Sequence, residues 1–178
     1  GVFSDLPFTG VFDGNNCTIS NFTFDSNAGN DGVGMFGCMD SGTSQIKNVK
    51  LANVDVNSTS VYGTGAIVGW MTNGTISGCS VQNGTVFGGN EVGGLVGMCW
   101  DGIISDCNAA INVTGKDKVG GILGKAAITV TMTNCRASCN VTCQQECGGL
   151  IGEIGADTGS LIKSSSSGSV TATVELAG

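Results

Sequence analysis

Residues 91–118 read EVGGLVGMCWDGIISDCNAAINVTGKDK, and close variants of this stretch recur on both sides of it. Its glycine-bounded apolar core GGLVG (Gly93 to Gly97) returns as GGILG (Gly120 to Gly124) and GGLIG (Gly148 to Gly152), and in looser form as GMFG (Gly34 to Gly37) and GAIVG (Gly65 to Gly69). The last glycine of each copy falls at 37, 69, 97, 124 and 152. A second signature follows each core: Ile46-Lys-Asn-Val49, Ile76-Ser-Gly-Cys79, Ile104-Ser-Asp-Cys107, Met132-Thr-Asn-Cys135 and Ile162-Lys-Ser-Ser165, in steps of 30, 28, 28 and 30 residues. Self-similarity at such a period marks a repeat architecture.

Within each unit, apolar and polar residues alternate, as in Ile111-Asn-Val-Thr114, Val54-Asp-Val-Asn57 and Ile128-Thr-Val-Thr-Met-Thr133. That is the periodicity of a strand. A unit of about 28 residues cannot bury its own apolar face. Units stacked in parallel about 4.8 Å apart close a continuous interior. The sequence therefore predicts an all-β chain, a single solenoid domain over residues 1–178 with about six coils of 27–32 residues. Residues 1–31 form an opening coil, followed by coils at 32–62, 63–90, 91–118, 119–146 and 147–178. Phe8, Phe12, Phe22 and Phe24 concentrate bulky apolar groups in the opening coil, as a plug for an elongated core. Three residues separate each recurring Ile from its Cys, which breaks alternation and predicts a corner at Asn21, Asn48, Gly78, Asp106, Asn134 and Ser164. Asn and Gly tolerate such bends.

On its VGGLVG and GxIxxC elements, with the opening segment FTGVFDGNNCTISNF, the chain resembles the GLUG repeat family and, more broadly, right-handed parallel β-helix proteins. The resemblance covers nearly the whole chain. It implies a right-handed parallel β-helix from a secreted or cell-surface protein, of the kind found in adhesin-like proteins and in non-catalytic parts of surface peptidases. It supplies no catalytic residue.

Composition narrows the function classes. Gly 31, Pro 1, His 0 and a charged fraction of 12% suit short strands joined by tight bends. The apolar fraction of 40% and mean hydropathy of +0.23 oppose disorder. Seven Lys and Arg against 14 Asp and Glu give a net charge of −7, which repels nucleic acid and anionic membrane faces. No apolar run is long enough to insert across a membrane. The chain starts at Gly1 without a leader pattern, as expected of a processed product or a piece of something larger.

Seven Asn-x-Thr sequons occur, at Asn16, Asn21, Asn57, Asn73, Asn83, Asn112 and Asn140. From 15 Asn and 17 Thr in 178 residues, chance gives roughly 1.4. Strand alternation alone generates some of this excess. Six of the seven are outward by alternation, with Asn21 at a corner. Nine cysteines point the same way, toward a secretory route. Cys79, Cys107 and Cys135 recur at intervals of 28, and Cys139, Cys143 and Cys147 cluster, so these six are candidates for disulfides, with a buried thiol ladder as the alternative for the first three.

Without a CxxC pair or any His, a zinc site is disfavoured. Asp25-Ser-Asn-Ala-Gly-Asn-Asp31 loosely follows a calcium loop but reads as a solvated loop. The absence of His also removes Ser-His and Cys-His nucleophile pairs. Arg136 is the only Arg, and Asp101 and Asp106, the closest acidic pair within the repeat, have Thr129 and Asn134 in the next coil. No catalytic residue, metal or cofactor is therefore assigned. The expected function is an extracellular, N-glycosylated structural solenoid, a filament, matrix or cell-surface component. Its partners would be copies of itself or neighbouring solenoid segments, and the ends of the stack would associate head to tail. An adhesin-like binding module is the alternative, and a polysaccharide-active enzyme a distant third.

Overall fold

In a computed structural model that describes residues 6–26, 32–59, 62–155 and 159–173, the apolar members of the alternating segments turn to one interior, except Ile128, which is 38% exposed. The described residues hold twenty strands and no helix, and every strand pairing is parallel. Three sheets run the length of the stack. A long face contains Val11–Asp13, Phe36–Lys47, Val68–Ser77, Val96–Ser105, Leu123–Thr133, Ile151–Ile154 and Ser160–Ile162. An asparagine-rich face contains Thr18–Ser20, Thr23–Ser26, Lys50–Ser58, Ser80–Phe87, Asn108–Thr114, Arg136–Ser138, Asn140–Cys143, Ser165–Ser167 and Val170–Ala172. A short face contains Thr64–Gly65, Asn90–Gly93, Asp117–Gly120 and Gln145–Gly148, extended by a bridge between Val33 and Thr64. Each circuit passes from the short face to the long face to the asparagine face. There are about five such turns, and the opening segment adds strands to two faces only. The chain is a parallel β-solenoid.

Register turns the repeat into columns. Phe12, Ile46, Ile76, Ile104, Met132 and Leu161 stack in one interior column, and Phe24, Val56, Val86, Val113, Val141 and Val170 in another. Ile46, Ile76, Ile104 and Met132 are essentially fully buried. The aromatic plug is present: Phe8 and Phe12 lie against Phe36 with ring centroids 4.8 and 5.4 Å away, and Phe22 and Phe24 flank the core.

From Gly69 onward, the last glycine of each apolar core sits where the chain backs onto the preceding turn. A Cβ on Gly124 would lie 2.5 Å from the carbonyl carbon of Glu91 and from the nitrogen of Val92, and one on Gly152 would meet Lys118 and Val119 in the same way. Only a residue without a Cβ allows this approach.

Two corner assignments shift. The corner bends at Asn48, Gly78, Asp106, Asn134 and Lys163, with φ from 49° to 60°, so Ser164 is one residue beyond it. Met132 pairs with Leu161 rather than Ile162, which makes Ser164 the partner in sequence of Cys135. Asn21 lies on another column, where Asn53 Nδ2 donates to its Oδ1 at 3.2 Å. The opening segment meets the true corner around Asn16, whose N–H donates to Asn48 O. At the corner itself the side chains bond along the stack: Asn48 Nδ2 to Asp13 Oδ1 at 3.0 Å, and Asn134 Nδ2 to Asp106 Oδ1 at 2.6 Å.

Candidate functional site

Outward positions on the asparagine face collect most of the polar chemistry of the chain, because alternation commits every second residue to the interior. All seven sequon asparagines are exposed. Asn57, Asn83, Asn112 and Asn140 lie on strands of this face, Asn16 and Asn21 lie on its opening segment, and Asn73 lies on the long face. Asn112 and Asn140 are register partners, and Asn140 Nδ2 donates to Asn112 Oδ1 at 3.1 Å while Asn140 Oδ1 accepts from Ser169 Oγ at 2.9 Å. Asn73 Oδ1 accepts from the N–H of Gly74 at 2.7 Å. Asn83, Asn112 and Asn140 share one shallow polar dish of about 280 Å³ floored by Gly84 and Ile111. The arrangement offers amide groups to solvent in short hydrogen-bonded columns, with no nucleophile or base among them.

A deeper groove, of about 390 Å³, runs up the corner between the asparagine face and the short face. Ser58, Thr59, Phe87, Thr114, Thr142 and Thr173 border it along successive turns, with Lys116 and Gln144 at its outer edge. Phe87 is 47% exposed there. On the long face, Trp70 and Trp100 stand in adjacent turns with ring centroids 6.1 Å apart, and Trp100 is partly exposed.

The cysteines divide into two chemistries. Cys143 and Cys147 form a disulfide with their Cα atoms 5.8 Å apart. Cys79, Cys107, Cys135 and Cys139, the other four disulfide candidates, are buried thiols. In the 28-residue column each thiol faces a carbonyl of the preceding turn (Ile46, Ile76 and Ile104, at 3.5 to 3.9 Å) and the carbonyl two residues before it. Parallel stacking repeats the same Cα–Cβ direction in every turn, whereas a disulfide needs two Cβ atoms that converge. Ser164 takes over this position in the last turn and donates to Ile162 O at 3.0 Å, as the thiols do. Burial pushes the Cys99 thiol up to about 12, and burial with the Asp40 carboxylate nearby pushes Cys38 up to about 11. Neither is a nucleophile at neutral pH. Cys17 is the exposed free thiol.

Sequence reasoning missed a charged corner. Glu91, Lys118 and Glu146 immediately precede the register partners Val92, Val119 and Cys147, so they form a column of alternating sign, and Lys125 pairs in register with Glu153 beside it. Lys118 Nζ lies 2.6 Å from Asp117, 3.3 Å from Glu146 and 3.7 Å from Glu153, while Lys125 Nζ lies 3.4 Å from Glu153 and 3.9 Å from Glu91. Glu91 is 4% exposed, its Oε2 has no hydrogen bond, and burial raises its carboxyl above the usual range. The hydrogen bond that Lys118 donates to Asp117 raises its ammonium above the usual lysine range. The 27- and 28-residue steps from Glu91 to Lys118 to Glu146 were visible in the sequence. With two ammonium groups set among four carboxylates, the cluster ties three turns together.

The acidic pair of the repeat is likewise engaged. Asp101 accepts from the N–H of Thr129 at 3.2 Å, and Asp106 accepts from Asn134. Among the described residues no group of three or more His, Cys, Asp or Glu could hold a metal. The calcium-like segment falls mostly at 27–31, outside the described residues. Among the described residues, no helix is long and apolar enough to cross a membrane.

Comparison with known proteins gives one relative in sequence and one in structure. Over 111 residues, 62% of this chain, the sequence is 37% identical to Halomucin of Haloquadratum walsbyi, and the match spans 1% of that protein's length. A crystal structure of a protein from Bacteroides ovatus, provisionally named an immunoglobulin A1 protease, superimposes with a TM-score of 0.60 at 19% identity, covering 97% of this chain and 70% of that one. No protein-family model matches the chain. At that identity the structural likeness shows a shared fold alone, a β-solenoid.

Proposed function

We propose that this chain is a stretch of an extracellular structural solenoid whose flanks carry N-linked sugars, built from glycine-leucine repeats of the GLUG type. The observation that carries the reading is the set of seven Asn-x-Thr sequons, every one with its asparagine exposed on the outside of the stack. Supporting it, a relative in sequence bears a mucin's name, and a disulfide joins Cys143 to Cys147, as suits an oxidising compartment. The carboxylates, the amides and most of the thiols are tied into ladders between turns, an arrangement that favours a scaffold over a catalyst. The protease name belongs to a neighbour that shares the fold at 19% identity, and no hydrolytic residue is carried over from it. The partners in this reading are further turns of the same kind, from a copy or from a neighbouring segment, since the last described turn leaves Ile154, Leu161 and Val170 open to solvent. Peptide mass spectrometry before and after glycosidase treatment of secreted protein tests the glycan reading: sugar at most of the sequons is expected, and bare asparagine at all seven overturns it.

The pair of half-buried Trp70 and exposed Trp100 favours a second reading, an adhesin-like module that binds a ligand on the long face. Loss of ligand capture in Trp100→Ala, with the flanks still glycosylated, would select it.

A further inference from the structure

Among the sequons, Asn57 occupies a setting unlike the rest. It is exposed at the outer side of the Lys50–Ser58 strand, and its register partner on the next turn is Phe87. Phe87 has Thr114 as its partner, and Thr114 has Thr142, so one outer column runs Asn57, Phe87, Thr114, Thr142; the last three line the 390 Å³ groove, and Asn57 adjoins it through Ser58. Adjacent parallel strands stand about 4.8 Å apart, which places the ring one strand from the glycosylation nitrogen. Among the described residues, Asn57 is the sequon asparagine with an aromatic residue as its strand partner; the strand partners of Asn73 and Asn112 are polar. Asn57 also stands outside the Asn112 and Asn140 ladder, where the nitrogen of Asn140 is already spent on a neighbouring amide.

We infer that the groove beside Asn57 is the seat of that residue's own glycan, with the innermost N-acetylhexosamine lying its apolar face on Phe87 and pointing its hydroxyls at Thr114 and Thr142. The volume lies in the range of small-molecule clefts. Its lining supplies what a sugar ring needs: a flat apolar surface for the axial C–H face, and hydroxyl donors and acceptors at the rim. Phe87 is half exposed, and it is the one aromatic residue on the strands Lys50–Ser58, Ser80–Phe87, Asn108–Thr114 and Asn140–Cys143 that border the groove. The modification forms a bond from Asn57 Nδ2 to the sugar C1, breaks the C1–O bond of a lipid-diphosphate sugar donor, and releases the amide proton with the diphosphate carrier. The seated sugar then bridges two turns from outside, as the charged corner does on the short face.

This inference rests on the glycoprotein reading, and the experiment separates their failures. The whole chain is secreted from a host that N-glycosylates, trimmed by endoglycosidase to a single N-acetylglucosamine per site, and mapped by peptide mass spectrometry. In proton spectra the sugar on Asn57 shifts upfield through the ring current of Phe87, and Phe87→Leu removes the shift. Asn57→Gln lowers Tm by about 2–4 °C when Phe87 is present, and has no such effect in the Phe87→Leu background. An occupied Asn57 whose sugar signals are unshifted, or the same fall in Tm in both backgrounds, overturns the inference and leaves the glycoprotein reading standing. Bare Asn57 beside occupied sequons has the same consequence. Bare asparagine at every sequon removes both. If Phe87→Leu does not fold, the upfield shift in the unsubstituted chain decides alone.

Discussion

Val141 and Val170 occupy the same interior column one turn apart, yet Val141 is fully buried and Val170 is 49% exposed. The same holds for Met132, 1% exposed, and its partner Leu161, 50% exposed. The middle turns and the last described turn carry the same alternation and the same glycine-bounded core. What differs is whether a further turn lies against them. In a solenoid, an interior position is created by the following turn, and a residue can be patterned for burial without being buried. The two regions should therefore respond differently to the same substitution.

The largest expected contrast is at the recurring glycine. Gly124→Ala pushes a methyl group into the backbone at Glu91 and Val92, which has turns on both sides and cannot retreat; a loss of about 3 kcal/mol in urea unfolding is expected. Gly152→Ala makes the equivalent clash in the last turn, which can lift away, so the loss should be clearly smaller. Equal losses would mean that the last turn is as firmly held as the middle ones.

The next contrast is in the isoleucine column. Ile104→Ala empties a fully buried site and should cost about 3 kcal/mol, while Leu161→Ala at a half-exposed one should cost under about 1 kcal/mol. If adding a partner segment or a second copy raised the cost at Leu161 toward that at Ile104, the open end would be a stacking surface.

The smallest effect is expected from Glu91. Its carboxyl is raised by burial, opposed by Lys125 and Lys118 and reinforced by Glu153 and Asp117. A raised carboxyl binds its proton more tightly in the folded state. Its contribution to stability is therefore fully present below the ordinary carboxylate value, and is lost as pH rises through the folded value. Glu91→Gln removes that dependence, so the stability of the unsubstituted chain relative to the variant should fall as pH climbs from about 4.5 toward neutrality. A constant difference across that window would place the Glu91 carboxylate in contact with water.

The period, the sheet class and most of the inward residues were legible because one rule, alternation inside a repeat of 27–32 residues, generated them; Ile128, which obeys the alternation but is exposed, is an exception. Fine register was not. At residues 161 and 162 the sequence offers Leu and Ile side by side, and no pattern tells which one stacks on Met132. Asn21 looked like a corner because it stands two residues after Ile19, as Asn48 does after Ile46, whereas its pairing with Asn53 is decided by the strand that precedes it. The charged corner was written in the steps between Glu91, Lys118 and Glu146, but salt bridges across turns become visible only once the columns are aligned. Of the six cysteines singled out for bridging, spacing could not distinguish a column of parallel thiols from the Cys143 and Cys147 pair, because the distinction lies in side-chain direction.

Because every turn hydrogen-bonds only to the turns above and below it, the molecule has a particular response to tension. Pulling its two ends apart along the stack loads one interface at a time, and the weakest, at an end, opens first. A turn occupies about 4.8 Å of axis while stacked. Once peeled, its roughly 28 residues can extend to about 95 Å at 3.3–3.6 Å each. Each released turn thus lengthens the chain about twentyfold locally, while the remaining turns keep their registry. The stack is a reel that pays out chain in nearly equal steps of one turn each.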